Sequence, residues 1–434
     1  MLPAPRRPAS GRSARAAFLL VLPLLAVHVG LLRVCDLAHH WILALTLIGP
    51  AFLWLAVAAR RLEAVRAPLG GAVLAGALLL RLPLLPIPPT LSDDVLRSLW
   101  DGKVATAGFN PYALAPAAGE LASLRDETGR AVPHAQQPTV LPPLSIAAFS
   151  IAARLPDTIL AWKTLATGLD LLACGLLIKL ARRSGLPEGR AVWYAWNPLV
   201  ALETAGMGHS ESLAAAAVLG CLLCLTVPRG APALGKRPWS AAVWGAAAVL
   251  ASPMPLAAVP MWGRQSGHPL RMLGAIAVLL TAAAFPMLAA TWAATGGLPL
   301  FLRLPGPAAW DGPLAWPLAR LAGTTAAALV LGALALAASV RAAFDDDPIA
   351  GTGRLFATLL LLAPVFHPWS VIAVLPFAAL ARQPAWLALS ALALLLYLPR
   401  CLGVALLPWT FLAVWLPFAA LLLRPAPKPS WSIA

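Results

Sequence analysis

The sequence predicts an all-α protein that crosses a membrane many times. Hydrophobic residues make up 60% of the 434-residue chain, charged residues make up 11%, and the mean hydropathy is +0.80. A soluble domain of ordinary composition has roughly 25% charged residues. Apolar runs of about 20 residues recur along the chain, and a run of that length spans a bilayer as a helix. Short basic loops separate these runs, so the net charge of +15 indicates orientation in a membrane rather than binding to nucleic acid.

Lysine and arginine residues predict the direction of each crossing, because they favour the cytoplasmic side. Before residue 89 the predicted crossings are 16–34 outward, 41–59 inward and 68–88 outward. After residue 143 they are 158–180, 191–206, 212–227, 269–292, 320–340, 386–398 and 405–423, with a short interfacial or re-entrant segment at 144–155. This gives a polytopic helical bundle of about 12 to 14 segments with both termini inside.

Two further segments are predicted to be broken at membrane depth by proline. Residues 239–262 are interrupted at Ser252-Pro253-Met254-Pro255, and residues 354–380 at His367-Pro368-Trp369. Backbone groups freed by proline must be satisfied by protein or water, which implies a nearby cavity. We therefore divide the chain into a basic tail with the first hairpin (1–66), a core (67–383), and a C-terminal hairpin with a short tail (384–434).

The outer loop of the core, residues 89–143, carries an unusual concentration of charge. Asp93, Asp94 and Asp101 lie within nine positions of a chain that has only 17 acidic residues, and Arg97 and Lys103 lie among them. Apolar positions at helical spacing predict an amphipathic helix here, on the outer membrane surface. A structural explanation is open too, because Ser92 and two aspartates favour a helix start and the charges form i,i+4 pairs.

Other polar residues are predicted to face the same outer cavity. Glu203, His209 and Glu211 lie at the outer end of a predicted hairpin, and His367 lies in a broken segment. Alternatively, His209 and Glu211 form a solvated turn and His367 satisfies the broken backbone. Asn110-Pro111-Tyr112 is most simply a turn followed by an interfacial ring. The five cysteines lie in or beside apolar runs, without the spacing of a zinc site.

Several motifs resemble those of GT-C class glycosyltransferases, in particular bacterial polyprenol-phosphate-mannose-dependent α-1,6-mannosyltransferases. The longest is SDDVLRSLWDGKVATAGFNPYALAP, from Ser92 to Pro116, which is similar to the family pattern S-D-D-I-Y-R-Y-x-W-D-G-R followed by G-x-N-P-Y-x-x-A-P. Shorter matches are YAWNPL continuing to Gly208-His209, Leu250–Leu256, and His367-Pro368-Trp369 before Leu-Pro-Phe. In order and spacing the resemblance covers residues 68–380.

The resemblance implies an inverting enzyme in the bacterial cytoplasmic membrane that moves a sugar, plausibly mannose, from a polyprenyl-phosphate donor to a glycan or glycolipid at the outer face. One carboxylate then suffices to deprotonate the attacking hydroxyl. Asp94 is the favoured base, with Asp93 as helix cap and partner of Arg97. Cations would hold the departing phosphate, and Arg97, Lys103 and Arg303 are the candidates. We expect Asp101, Asn110, Tyr112, Glu203, His209, Glu211 and His367 to contribute to substrate binding.

The chain also departs from the family pattern. Leu96, Ser98 and Leu141 stand where tyrosines are common, Ser252 and Met254 replace a lysine and a tyrosine, and Glu211 replaces an aspartate. Two alternatives therefore stay open: a transporter or flippase for a lipid-linked glycan, and a catalytically silent relative. The sequence establishes no cofactor, but the acidic pair could hold Mg²⁺ or Mn²⁺, whose ligands are carboxylate oxygens.

Overall fold

A computed structural model describes residues 10–125, 132–227, 237–300, 306 and 309–424, and within these ranges all regular structure is helical. The N-terminal half contains α1 Ser10–Val34, α2 Trp41–Glu63, α3 Gly70–Arg81, α4 Asp94–Thr106, α5 Pro143–Ala152, α6 Thr158–Arg183, α7 Val192–Ala195, α8 Pro198–Ala201 and α9 Glu211–Leu225. The C-terminal half contains α10 Pro238–Ala251, α11 Val259–Gln265, α12 Pro269–Thr295, α13 Ala315–Ala322, α14 Thr324–Ala343, α15 Pro348–Leu362, α16 Leu375–Ala381, α17 Pro384–Leu392, α18 Leu398–Leu402 and α19 Leu407–Leu422. The predicted fold class is confirmed.

In the described ranges, seven helical stretches are long and apolar enough to cross a bilayer. They are Arg15–Val34, Trp41–Glu63, Thr158–Arg183, Pro269–Thr295, Thr324–Ala343, Pro384–Leu402 and Val404–Leu422. A pair bent by 119°, Pro198–Gly206 with Glu211–Leu225, could form an eighth. Shorter apolar helices lie at Gly70–Leu84, Pro143–Ala152, Pro238–Ala251 and Pro348–Leu362. The chain is therefore a multi-pass membrane protein. The predicted crossing at 68–88 is shorter than expected, because its helix ends at Leu84.

Both proline-containing breaks lie where the sequence places them. Helix α10 ends at Ala251, Ser252 is extended, and the chain resumes as the 3₁₀ turn Met254–Ala258. Helix α15 ends at Leu362, and the 3₁₀ turn Pro368–Ala373 follows His367. Each 3₁₀ turn has a proline within its first two positions, where the missing backbone N–H removes no helical hydrogen bond.

Helix α4 forms as predicted, but protein covers its apolar side. Val95 and Leu99 are buried in a cluster with Phe149 of α5 and Trp162 of α6. Gly102 permits this packing, since a Cβ there would lie 2.6 Å from the backbone carbonyl carbon of Phe149. The expectation that α4 rests its apolar face on the membrane surface is therefore wrong, because α5 and α6 already bury that face.

The bundle contains a fully buried ion pair that joins α3 to α6. The guanidinium of Arg81 donates to Asp170 and to the carbonyl oxygens of Ala77 and Ala195, both at 2.8 Å. The hydroxyl of Tyr194 donates to the other oxygen of Asp170 at 2.8 Å. Buried charges are tolerated when they are paired and hydrogen-bonded in this way. The largest of the hydrophobic clusters contains residues from Ala17 to Phe418. The predicted division at residues 66 and 383 stays a prediction.

Candidate active site

A cavity of about 330 Å³ lies between the start of α4 and the C-terminal helices. Its polar lining comes from both halves of the chain and includes Ser92, Asp93, Asp94, His134, Asp311, His367, Arg400 and Thr410. Aromatic rings form much of the remaining wall, namely Trp316, Phe366, Trp369, Tyr397 and Phe411. A concave site with a few converging polar groups among apolar and aromatic walls is typical of a small-molecule site.

Hydrogen bonds hold the segment before α4 in place. The ammonium group of Lys163 donates to the carbonyl oxygens of Leu84 and Ile87, at 3.2 and 2.6 Å. The hydroxyl of Ser92 then accepts from the backbone N–H of Asp94 at 3.2 Å, which satisfies one free donor at the helix start. These contacts fix the two aspartates at the cavity.

The two aspartates have different surroundings. Asp93 pairs with Arg400, with 3.2 Å between Oδ1 and a guanidinium nitrogen, and both side chains are about half exposed. The Asp93 side chain makes no cap hydrogen bond, and Arg97 pairs with Asp101 instead. Asp93 therefore occupies the predicted N-cap position of α4, whereas its predicted pairing with Arg97 is wrong. Within the described residues, the carboxylate of Asp94 has no hydrogen bond or ion pair, so it is available to a substrate in the cavity.

Behind Asp94 lies a buried cluster of Glu203, His209 and Tyr397. Oε2 of Glu203 lies 2.9 Å from Nδ1 of His209, and the hydroxyl of Tyr397 donates to both Glu203 oxygens at 3.1 and 3.0 Å. The imidazole of His209 stacks on Trp369, with 3.7 Å between ring centroids, while its Nε2 is buried without a partner in the described residues. This buried cluster thus lies against the cavity wall that Trp369 and Tyr397 form.

Local backbone geometry explains how this cluster forms. Asn197 caps α8 by accepting from the backbone N–H of Leu199 at 3.0 Å, and a π turn at Leu202–Gly206 follows. Gly208 then adopts a φ of 79°, which a residue with a side chain rarely adopts. Because a Cβ at Gly208 would lie 3.0 Å from Cγ2 of Val95, this turn and helix α4 are in close contact. Glu203 and His209 therefore lie close to α4, although neither of them lines the cavity that Asp93 and Asp94 line.

His367 reaches the same cavity, together with Asp311. Oδ1 of Asp311 accepts from the backbone N–H of Phe366 at 2.7 Å, which ties the loop at 309–312 to the break before His367. Burial lowers the pKa of His367 below 6.5, while the charges of Asp311 and Asp94 oppose that effect. Burial also raises the pKa of Asp311, and the hydrogen bond from Phe366 and the charge of His367 oppose this.

Electrostatic interactions connect Asp94 to the other groups. Its charge acts on His209, on His367 and on Glu211, although these lie on different elements. Glu211 lines a different cavity, of about 310 Å³, at the Ser252 break, whose wall includes Leu141 and Met254. Ser252, which stands where the family pattern has a lysine, therefore lines the same cavity as Glu211. The wall of that cavity is otherwise largely apolar in this chain.

The two cations of α4 are engaged elsewhere. Nε of Arg97 donates to Asp101 at 3.0 and 3.1 Å, and its other nitrogens donate to the carbonyl oxygens of Pro133, His134 and Gln137. Burial raises the pKa of Asp101, against the charge of Arg97 and hydrogen bonds from Thr139 and Arg97. The ammonium of Lys103 donates to the carbonyl oxygen of Leu124 at 2.8 Å. Arg97, Asp101 and Lys103 therefore hold the loop together and do not line the cavity.

Two further predicted residues have structural contacts. Asn110 accepts from the backbone N–H of Tyr112 at 3.0 Å, which confirms the turn, and donates to Thr291 at 3.1 Å. Tyr112 is buried, and its hydroxyl donates to the carbonyl oxygen of Leu141 at 2.7 Å. Arg303, the last phosphate candidate, lies outside the described residues. Among the described residues no group of three or more His, Cys, Asp or Glu side chains could hold a metal ion.

The cavity residues that sequence reasoning missed include Asp311, Tyr397 and Arg400. Asp311 was detectable as an isolated carboxylate in the Trp310-Asp311-Gly312 triplet, which repeats Trp100-Asp101-Gly102. Arg400 was detectable as the only charged residue between 383 and 423. No local pattern shows that the last hairpin returns to α4, because that contact depends on the tertiary fold.

Comparison with known proteins places the chain in a family. The family model described as alpha-(1->6)-mannopyranosyltransferase, N-terminal domain, matches residues 13–266, which is more than half of the chain. No curated protein and no solved structure matches the sequence. The matched range contains Asp93, Asp94, Glu203 and His209, whereas the cavity residues Asp311, His367, Tyr397 and Arg400 lie beyond it. The chain therefore belongs to the α-(1→6)-mannopyranosyltransferase family, and is a membrane-embedded transferase of the mannosyltransferase type.

Proposed function

We propose that this protein transfers a mannosyl residue from a polyprenyl-phosphate donor to a hydroxyl of an acceptor glycan or glycolipid. The observation that carries the proposal is the Asp94 carboxylate, which lines the cavity and has no hydrogen bond or ion pair from the described residues. A carboxylate without a protein partner can accept the proton of a bound hydroxyl, since general bases act at hydrogen-bond distance. The aromatic walls suit the apolar C–H faces of a sugar ring.

The proposed reaction is a single displacement with inversion. The acceptor oxygen forms a bond to C1 of the mannosyl unit while the bond from C1 to the phosphate oxygen breaks. The electron pair of that bond leaves with the phosphate, and Asp94 takes the hydroxyl proton. A lipid phosphate is already a good leaving group, so the mechanism needs no strong general acid.

The positions of the cations support an active site at the outer face of the bacterial cytoplasmic membrane. Arg382 pairs with Glu63, and Arg182 pairs with Glu188 at 2.6 Å, while Glu188 accepts from the backbone N–H groups of Leu69 and Gly70. This cationic end of the bundle contains the loop before α3. Helix α3 and the following residues then lead away from it toward Ser92 and the cavity. Because cationic loops face the cytoplasm, the cavity would face outward.

The test is transfer by purified protein in detergent, where transport of a lipid-linked glycan cannot give the signal. The substrates are a short-chain polyprenyl-phosphate mannose and a mannoside acceptor. Asp94→Asn should lower turnover by about 10²–10⁴-fold, as loss of a general base does. Asp346→Asn is the matched control, because that side chain is 94% exposed and pairs with Arg264 at the surface.

The outcomes separate the alternatives. If the native protein transfers mannose and both Asp93→Asn and Asp94→Asn retain that turnover, the assignment of the base is refuted. Absence of turnover in the native protein, with both substrates shown to bind, would favour a silent relative. In that case Ser252 and Met254 would be the first residues to replace, with the lysine and the tyrosine of the family pattern.

A further inference from the structure

Arg400 occupies a distinct position in the molecule. It lies in α18, where the stretch Pro384–Leu402 ends, and Gly403 with a φ of 122° separates it from the next crossing. The turn between two crossings lies at the level of a membrane interface. Among the lysine and arginine side chains that the structure describes, Arg400 is the one that lines the cavity.

The ion pair of Arg400 is suited to exchange. Its partner Asp93 is 44% exposed and Arg400 itself is 49% exposed, so water screens the pair and its contribution to stability is small. The phosphodiester of a lipid-linked sugar offers the planar guanidinium two oxygens for bidentate hydrogen bonding, and the phosphate monoester left after transfer carries more charge than a carboxylate. Breaking the contact with Asp93 therefore costs little compared with the gain of a phosphate contact.

The surface beside Arg400 is apolar and exposed. Leu402, Val404, Leu407 and Trp409 expose between 42% and 82% of their surface, and Leu407 also lines the cavity. Exposed apolar side chains on a crossing face hydrocarbon. The cavity mouth thus joins a cation at the interface to a surface that a lipid tail can cover.

We propose that Arg400 is the phosphate-binding residue of this site, and that it takes a phosphate carried by a lipid by exchanging it for the Asp93 carboxylate. This inference rests on the proposed function, and it assigns a role outside the matched family domain. In the reaction, the oxygen that keeps the electron pair of the broken C1–O bond belongs to the phosphate on Arg400. Asp94, next to the displaced Asp93, remains free to take the proton.

The experiment measures binding of farnesyl phosphate to the full-length protein in detergent, with farnesol as the tail without phosphate. Arg400→Gln should weaken farnesyl phosphate binding by about tenfold or more, since hydrogen bonds between charged groups are lost, and should leave farnesol binding unchanged. Arg400→Lys should recover part of the affinity. Arg320→Gln is the matched control, because that cation stacks on the cavity residue Trp316 at 4.5 Å.

The Asp93→Asn variant separates phosphate binding from a structural role. If Arg400 only holds α4 in place, Asp93→Asn and Arg400→Gln should weaken binding equally. If it binds phosphate, Asp93→Asn should retain or tighten binding, because it releases Arg400. An equal loss in both variants, or in Arg320→Gln, would overturn the inference.

Two further arms identify the source of the phosphate and distinguish failure of this inference from failure of the proposed function. Inorganic phosphate and phosphatidylglycerol are tested as competitors of farnesyl phosphate. Weak competition by both is expected of a site for a lipid-borne sugar phosphate. Strong competition by inorganic phosphate would assign the site to free phosphate, strong competition by phosphatidylglycerol would assign it to bulk lipid, and either would overturn a donor site. Binding that depends on Arg400 without any mannosyl transfer would retain this inference and reject the proposed function. Mannosyl transfer that is unaffected by Arg400→Gln would retain the proposed function and reject this inference.

Discussion

The carboxylate of Glu203 lies 2.9 Å from Nδ1 of His209, and both side chains are buried. The π turn that carries Glu203 and the turn that carries His209 are also joined by a backbone hydrogen bond of 2.9 Å. π turns inside helices frequently occur at functional sites. This pair sets the wall of the cavity on the side where Trp369 stacks on His209.

The contribution of the Tyr397 hydroxyl to stability should depend on the negative charge of Glu203. Tyr397→Phe removes a donor to a buried carboxylate, so it should lower the free energy of unfolding by about 1 kcal/mol or more. The same change in a Glu203→Gln background should cost less, because the acceptor is then neutral. Unfolding in mixed detergent micelles measures the four variants of this double-mutant cycle. Equal costs in the two backgrounds would show that the hydrogen bond contributes nothing beyond ring packing.

The buried pair of Arg81 and Asp170 should show strong non-additivity. Arg81→Leu or Asp170→Leu alone leaves an uncompensated buried charge, which should cost about 3–5 kcal/mol. The double substitution removes both charges and should cost less than either single change. The same unfolding assay measures this, and a double variant as unstable as the sum of the singles would contradict the expectation. Tyr194→Phe, which removes only the donor to Asp170, is the milder control.

The local features of this fold could be predicted from sequence, whereas most site contacts could not. Long apolar runs and the breaks at Ser252 and His367 depend on hydropathy and proline, which act over a few residues. The partner of Asp93 depends on tertiary packing: Arg97 was the nearest cation in sequence, but Arg400 reaches it from the last hairpin. The helical spacing of apolar residues identified the apolar side of α4, but it could not show that α5 covers that side.

The stability of the protein should depend on pH through His367. Burial lowers its pKa below 6.5 in the folded state, so the folded protein binds this proton less readily than the unfolded chain. The stabilising contribution is therefore complete above pH 6.5 and is lost as the pH falls toward the lowered folded-state pKa. The melting temperature of the native protein should fall over this range relative to that of His367→Gln. Parallel curves for the two proteins would contradict the shift.

Asp311 should modulate this titration. Its negative charge opposes the lowering of the His367 pKa, so Asp311→Asn should lower that pKa further. The loss of stability should then continue to more acidic pH than in the native protein. Because the side-chain amide of asparagine retains an oxygen, it can still accept from the backbone N–H of Phe366. An unchanged pH range would show that the Asp311 charge does not reach His367.

The close approach of α4 and α5 at Gly102 should control both stability and activity. A Cβ at this position would lie 2.6 Å from the backbone carbonyl carbon of Phe149, and a backbone atom cannot move aside as a flexible side chain can. Gly102→Ala should therefore displace α4, with an overpacking cost of about 1–3 kcal/mol. Because α4 begins at Asp94, mannosyl transfer should fall as well.

Gly168→Ala in α6 is the matched control, since nothing lies within 4 Å of its added Cβ. Alanine is a better helix former than glycine, so this variant should be neutral or more stable by up to about 1 kcal/mol. Unfolding and transfer are measured for both variants. Equal stability of Gly102→Ala and Gly168→Ala would mean that α4 can move without cost, and Asp94 would then lack the fixed position that the proposed mechanism requires.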